Sequence, residues 1–432
     1  MQIRHVVFAT VALCAPGFAR AQGWATPIAR DTVLRTLVTE ALERNHGVHE
    51  QEAAVRAAGE RVRPAGALPD PMLSAGVMDL TLPGFAFNNS DFTELDAQLE
   101  QAIPWPGTLG ARTRVARAAR GIAQATLDAR RRDIISSVAT SYYRLRYLVT
   151  ALATSRRQHE LLEAAVQLGT TRYATGLAPQ TDPLQAKLAR DRLRSEELGL
   201  RADSAAALAA LNALRARGPR DSLPVEPLDP VSLRTQAASS PSPDSLVALA
   251  LARHPNLAAR RAAVDQATAT IQVERLGGRP DFTLSVRYGY RPVVAGTNLP
   301  DFFSAAVGIR LPVWGARNQH RLADAARFDS TAAAVGLEDE ELMLGREVAE
   351  TAARLGASRA RLVLLADAIL PTALGTVESV QQSYQVGRSD FLTLLAVEDA
   401  AFRAALEAAA VAADYQTQLV MLRQLTGEAA AP

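Results

Sequence analysis

Arg172-Tyr173-Ala174-Thr175-Gly176-Leu177-Ala178-Pro179-Gln180-Thr181-Asp182 ends one long helical run and leads at once into another. A glycine just past a helix end takes the left-handed conformation that closes the last turn, at no steric cost. The stretch therefore reads as the tip of an antiparallel helical hairpin. About half a chain later, Ser383-Tyr384-Gln385-Val386-Gly387-Arg388-Ser389-Asp390 has the same build. Two such tips alone could be unrelated helix ends, so the duplication has to be read from what surrounds them.

Working outward, no proline interrupts the chain between Pro106 and Pro179. Residues 108–171 predict one helix on the order of 95 Å long at 1.5 Å per residue. Within it Val138, Tyr142, Leu145, Val149 and Leu152 step by four and three, a coiled-coil seam. The return helix covers 183–217. The second half repeats the plan from 316 to its tip and from 391 to 425, with Pro371 expected to kink it. The hairpins thus span about 108–217 and 316–427. Before each comes another helix: 31–62, with Asp31 as N-cap, and 244–276. Ala41-Leu42-Glu43-Arg44 in the first answers Ala250-Leu251-Ala252-Arg253 in the second. Residues 218–243, rich in Pro, Ser and Asp, read as a linker between repeats 22–217 and 244–428, with 429–432 as a tail.

Between the short and long helices the period falls to two. Phe282, Leu284, Val286, Tyr288 and Tyr290 alternate with Thr283, Ser285, Arg287, Gly289 and Arg291. One face is apolar and the other polar and basic, as in a strand between lipid and water. Strands are expected over about 71–82, 93–103, 281–291 and 302–312; the facing of the first is not assignable from its sequence. Trp105 and Trp314, in similar proline-flanked phrases after the second strand of each pair, are candidate membrane-interface aromatics.

Aromatic residues make up 5% of the 432 residues, and the net charge is +2, so no bulk field marks nucleic acid as a partner. Residues 1–21 read as a signal peptide: Arg4 and His5, an apolar run, then Ala19-Arg20-Ala21 as the cleavage site. Cys14, the only cysteine, lies inside it behind Leu13 rather than a small residue, which favours cleavage over lipidation. No later stretch reads as a transmembrane helix, so membrane insertion would have to be through strands. Four strands cannot close a membrane barrel, for which about eight is the minimum, and open edges are not tolerated in lipid. Several copies must therefore contribute to one barrel.

The order of these parts strongly resembles the TolC-type outer-membrane efflux protein family over nearly the whole mature chain. Leu68-Pro69-Asp70-Pro71, Gln101-Ala102-Ile103-Pro104 and Tyr173 with Gly176-Leu177 carry the resemblance. It implies an α+β membrane protein: a homotrimer with a twelve-stranded barrel in the outer-membrane lipid, continued by an α-helical tunnel through the periplasm. It implies a passive export duct served by a periplasmic adaptor and an inner-membrane pump; the phrases around Pro69 and Trp105 resemble most the members that serve heavy-metal efflux pumps, which implies a pump of the resistance-nodulation-division type. Thr175, Gly176, Leu177, Val386 and Gly387 would meet the adaptor at the tips. In the family a tip aspartate bonds a tyrosine to shut the periplasmic gate. Asp182 and Tyr384 match these two, whereas Arg388 falls one residue before the family's arginine position, which Ser389 occupies. Asp182 reads equally as an N-cap. The family's paired aspartates fall on Thr393 and Ala396. Two alternatives stand beside efflux of small molecules or metal ions: the channel of a type I protein secretion system, and a periplasmic coiled-coil adaptor.

An enzyme reading finds little. His46 and His49, near Glu43 and Glu50, have a spacing that could hold a metal, but such pairs are usually solvent-facing. No phosphate loop or nucleophile elbow is present, and no cofactor is expected. Met72 and Met78 read as gap-fillers. Arg130 to Arg132 and Glu338 to Glu341 read as solvated or ion-paired faces.

Overall fold

A computed structural model of the chain describes residues 31–79, 90, 92–236, 242–293, 298–313 and 315–427. The expected signal peptide, the tail and Trp314 lie outside the described residues. The elements in order are α1 (Thr32–Arg44), α2 (His46–Glu60), α3 (Val62–Ala65), β1 (Met72–Met78), β2 (Glu94–Ile103), α4 (Thr108–Ala174) and α5 (Thr181–Leu214). The second half follows as α6 (Pro230–Gln236), α7 (Pro243–Arg253), α8 (Pro255–Gly277), β3 (Asp281–Tyr290), β4 (Phe302–Arg310), α9 (Gly315–Leu364), a π-helical turn (Leu365–Ile369), α10 (Leu370–Gln385) and α11 (Phe391–Leu425).

The chain divides into two compact units, and neither corresponds to one repeat. Of the described residues, one takes those up to His46, Arg131–Arg253 and those from Leu344 onward; the other takes those within Gly47–Arg130 and His254–Met343. Each repeat contributes to both.

In the first unit the Asp31 carboxylate accepts from the Leu34 amide and caps α1 at 3.0 Å, as its position predicts. Tyr142 and Tyr143 pack their rings 5.4 Å apart, and Tyr143 is among the most deeply buried large side chains. Burial pushes the Tyr142 phenol up to about 12, with the Asp31 charge as the next cause. The buried seam of α4 includes Val138, Tyr142 and Leu145, then shifts to Leu148 and Ala151; Val149 and Leu152 are only half-buried. A straight helix of 3.6 residues per turn drifts off a strict heptad, and here two successive steps of three carry the seam across.

Four expectations are corrected. The helix read over 31–62 breaks at Asn45, whose backbone is extended (φ −65°, ψ 119°) and whose side-chain amide donates to the Leu214 carbonyl at 2.9 Å. His254, about 209 residues on, breaks the second repeat with φ −68° and ψ 128°, ahead of Pro255. The stretch read as a linker is packed: Arg146 donates to the Glu226 and Pro227 carbonyls, the Leu228 amide donates to Thr150 Oγ1 at 2.7 Å, and α6 follows. One helical run, Arg317–Gln385, holds an 18-residue window of mean hydropathy 1.5, long and apolar enough by composition to cross a membrane, where the sequence reading expected none. Only 17% of that window is buried. Pro371, in the same run, lacks an N–H and would clash with the preceding turn. The helix widens into the π turn just before it, and the residues flanking that turn keep right-handed helical angles.

The second unit holds one antiparallel sheet in the order β1-β2-β3-β4, in which the two repeats join at β2–β3. β1 and β4 are its edges. Pairing register settles the facing of every strand, including β1. Leu73, Leu99, Val286 and Ala305 form one row across the sheet; Ala75, Ala97, Tyr288 and Phe303 form the next; Ile103, Phe282 and Ile309 form another. All lie on one face.

Candidate functional site

Two surfaces carry the chemistry, one in each unit. The first is the sheet. Its apolar face is open to the surroundings: Leu73 is 74% exposed, and Phe303 and Val307 are 70% exposed. A face this large and apolar would not stay bare in water. From Phe282 to Tyr290 it runs about 27 Å along the strand at 3.4 Å per residue, close to the height of an outer-membrane apolar band. Aromatic rings mark both ends. At one end Trp105 stacks on Phe282 with ring centres 5.9 Å apart, and the Arg279 guanidinium lies 5.9 Å from the centre of the Trp105 ring. At the other stand Tyr288, Tyr290 and Phe303, with the Tyr288 hydroxyl donating to Asp301. The opposite face is polar. Arg287 pairs there with Glu94 and, at 3.4 Å, with Asp96, and Arg310 pairs with Asp281. Met72 and Met78 stand on this polar face, paired across strands with Glu100 and Glu94.

The second surface is the pair of hairpin tips. Gly176 and Gly387 have φ of +73° and +75°, the left-handed conformation read from the sequence. Both tips close with the same two bonds. The Leu177 amide donates to the Arg172 carbonyl at 2.8 Å and the Gly176 amide to Tyr173; Arg388 donates to Ser383 at 2.9 Å and Gly387 to Tyr384. Leu177 and Val386 project outward, 70% and 67% exposed, beside exposed Thr175. A Cβ on either glycine would meet nothing within 4 Å.

The two tip tyrosines differ. Tyr173 is exposed, while Tyr384 is buried in a cluster with Ala165, Val166, Ala186, Phe391 and Leu394, drawn from α4, α5, α10 and α11. The Arg172 guanidinium lies over the Tyr384 ring at 5.0 Å, so the end of one hairpin clasps the end of the other. Sequence reasoning missed Arg172, because nothing local distinguishes it from the other arginines of α4. Asp182 is not the N-cap of α5. The helix begins at Thr181, and among the described residues the Asp182 carboxylate in its first turn accepts only from Thr181 Oγ1, at 3.4 Å. No hydrogen bond joins it to Tyr384 among the described residues. The cap at the second tip is Asp390, which accepts from the Thr393 amide; that bond holds its carboxyl below the usual range. Arg388 is exposed and contributes its backbone.

The remaining candidates have ordinary partners. His49 lies 3.5 Å from Glu52. Arg260 and Arg261 pair with Glu340 and Glu341 between α8 and α9, and Arg132 donates to the Arg253 carbonyl.

Comparison with known proteins places this arrangement. The family described as outer membrane efflux protein matches residues 37–217 and 246–428, one block in each repeat. The cobalt-zinc-cadmium resistance protein CzcC of Cupriavidus metallidurans is 27% identical over 321 residues, 71% of each chain. Protein CyaE of Bordetella pertussis is 29% identical over 273 residues, 58% of this chain and 54% of that protein. The fold matches that of the outer-membrane channel OprN with a TM-score of 0.80, covering 96% of this chain and 94% of that one at 19% identity. With an apolar strand face, a duplicated helical hairpin and a family match over both repeats, the chain belongs to the outer membrane efflux protein family: it is an efflux channel of the outer membrane.

Proposed function

We propose that three copies close a twelve-stranded barrel, forming a passive duct without catalysis of its own, through which an inner-membrane pump expels heavy-metal ions. The observation that carries the reading is the sheet: its apolar face is continuous across four strands, and its two edges are open. Neither is stable in a membrane until neighbouring copies pair with them. The metal cargo draws support from the likeness to a cobalt-zinc-cadmium resistance protein. The pump supplies the energy, and a periplasmic adaptor meets the exposed tips at Thr175, Gly176, Leu177, Val386 and Gly387. The gate is the contact between hairpins, in which Arg172 stacked on Tyr384 holds the ends together, with Asp182 and Arg388 alongside.

Deleting the gene should lower growth tolerance to cobalt, zinc or cadmium, and the wild-type chain should restore it. Gly176→Glu and Gly387→Glu should reach the membrane as trimers yet fail to restore tolerance, because a charged side chain blocks the tips. Unchanged metal tolerance in the deletion strain, with lowered tolerance to organic drugs, would overturn the cargo. Normal adaptor co-purification with both variants would overturn the docking surface.

A further inference from the structure

We infer that the groove between the end of α8 and the start of α9 binds the phosphodiester headgroup of an anionic phospholipid in the periplasmic leaflet. This rests on the reading of the apolar sheet face as lipid-facing. The groove encloses about 430 Å³ and is lined by Arg275, Arg279, His320 and Arg327 together with Glu274 and Asp324. Three arginines thus face two carboxylates, and the carboxylates are occupied. Glu274 accepts from Gln319 at 2.7 Å, and Asp324 pairs with Arg327 at 2.6 Å. Arg275, in the last turn of α8, and Arg279, two residues past its end, have no acidic partner among the described residues.

A chain of contacts fixes the side on which the groove opens. Phe282 begins the apolar face; Trp105 stacks on Phe282; Arg279 lies over Trp105 and lines the groove. The Arg279 guanidinium therefore stands just beyond the apolar band, on its lipid side, at the depth where headgroup phosphates lie, and Arg275 lines the same groove. Guanidinium forks match the paired oxygens of a phosphodiester, and the tryptophan belongs at that interface.

The test is native mass spectrometry of the trimer released from neutral detergent, after incubation with phosphatidylglycerol or phosphatidylcholine. Wild type should retain phosphatidylglycerol in preference to phosphatidylcholine. Arg275→Ala with Arg279→Ala should reduce that retention about tenfold. Arg275→Lys with Arg279→Lys should keep most of it, and keeps the test open if the alanine pair does not assemble. Millimolar inorganic phosphate should not displace the lipid. Equal retention in wild type and the alanine pair, no preference between the two lipids, or displacement by phosphate would each overturn the inference. The same spectrum reports the trimer, so failure of the channel reading appears as loss of assembly, apart from loss of lipid.

Discussion

At the level of single residues, the tip tyrosines show how equivalent positions in a duplicated chain take different work. Tyr173 faces outward, while Tyr384 is enclosed by side chains from three other helices and covered by Arg172. A cation over an aromatic face is worth about 0.5–1 kcal/mol when exposed and about 2 when desolvated. Lost from three protomers at once, that is enough to shift a closed state. Arg172→Ala should therefore raise single-channel conductance in planar bilayers. Tyr384→Phe keeps the ring and the stack, so it should change conductance little. If the phenylalanine variant opens the channel and the alanine variant does not, the hydroxyl holds the gate and the stack does not. Arg172 was not legible in the sequence, because its partner lies more than two hundred residues away. Asp182 misled for a related reason. An aspartate before a proline looks like a cap, but the helix begins one residue earlier and leaves it in the first turn.

At the level of elements, legibility followed local chemistry. The left-handed glycines could be read because only one residue type enters that conformation freely. The break before Pro255 carries its own signal, whereas the break at Asn45 does not, since it is held by a bond to Leu214 far along the chain. Alternation showed that β3 has two unlike faces, but the facing of β1 needed its pairing with β2. Arg287, on the polar face, is tied to Glu94 and Asp96, so a neutral replacement would leave those carboxylates without their cation. The cleaner contrast is between neighbours. Leu284→Arg, on the apolar face, should cost about 2–4 kcal/mol near the bilayer midplane, whereas Ser285→Arg points to the opposite face and should cost far less. The readout is the yield of heat-resistant oligomer in the outer membrane. Equal yields would mean the faces are misassigned.

At the level of the whole molecule, the central claim is that the sheet's open edges close a ring of three chains. Within one chain β1 and β4 lie at opposite edges, about 14 Å apart at 4.8 Å per strand spacing, whereas a disulfide spans no more than about 7 Å between Cα atoms. A disulfide between these strands can therefore form only between chains. With Cys14 replaced by serine, Ser74→Cys on β1 should be combined in turn with Ser304→Cys, Ala306→Cys or Gly308→Cys on β4, all on the polar face. After oxidation in intact outer membranes, at least one register should give covalent species that end at three chains on a non-reducing gel. A product series that stops at two, runs past three or never leaves the monomer at any register would contradict the account.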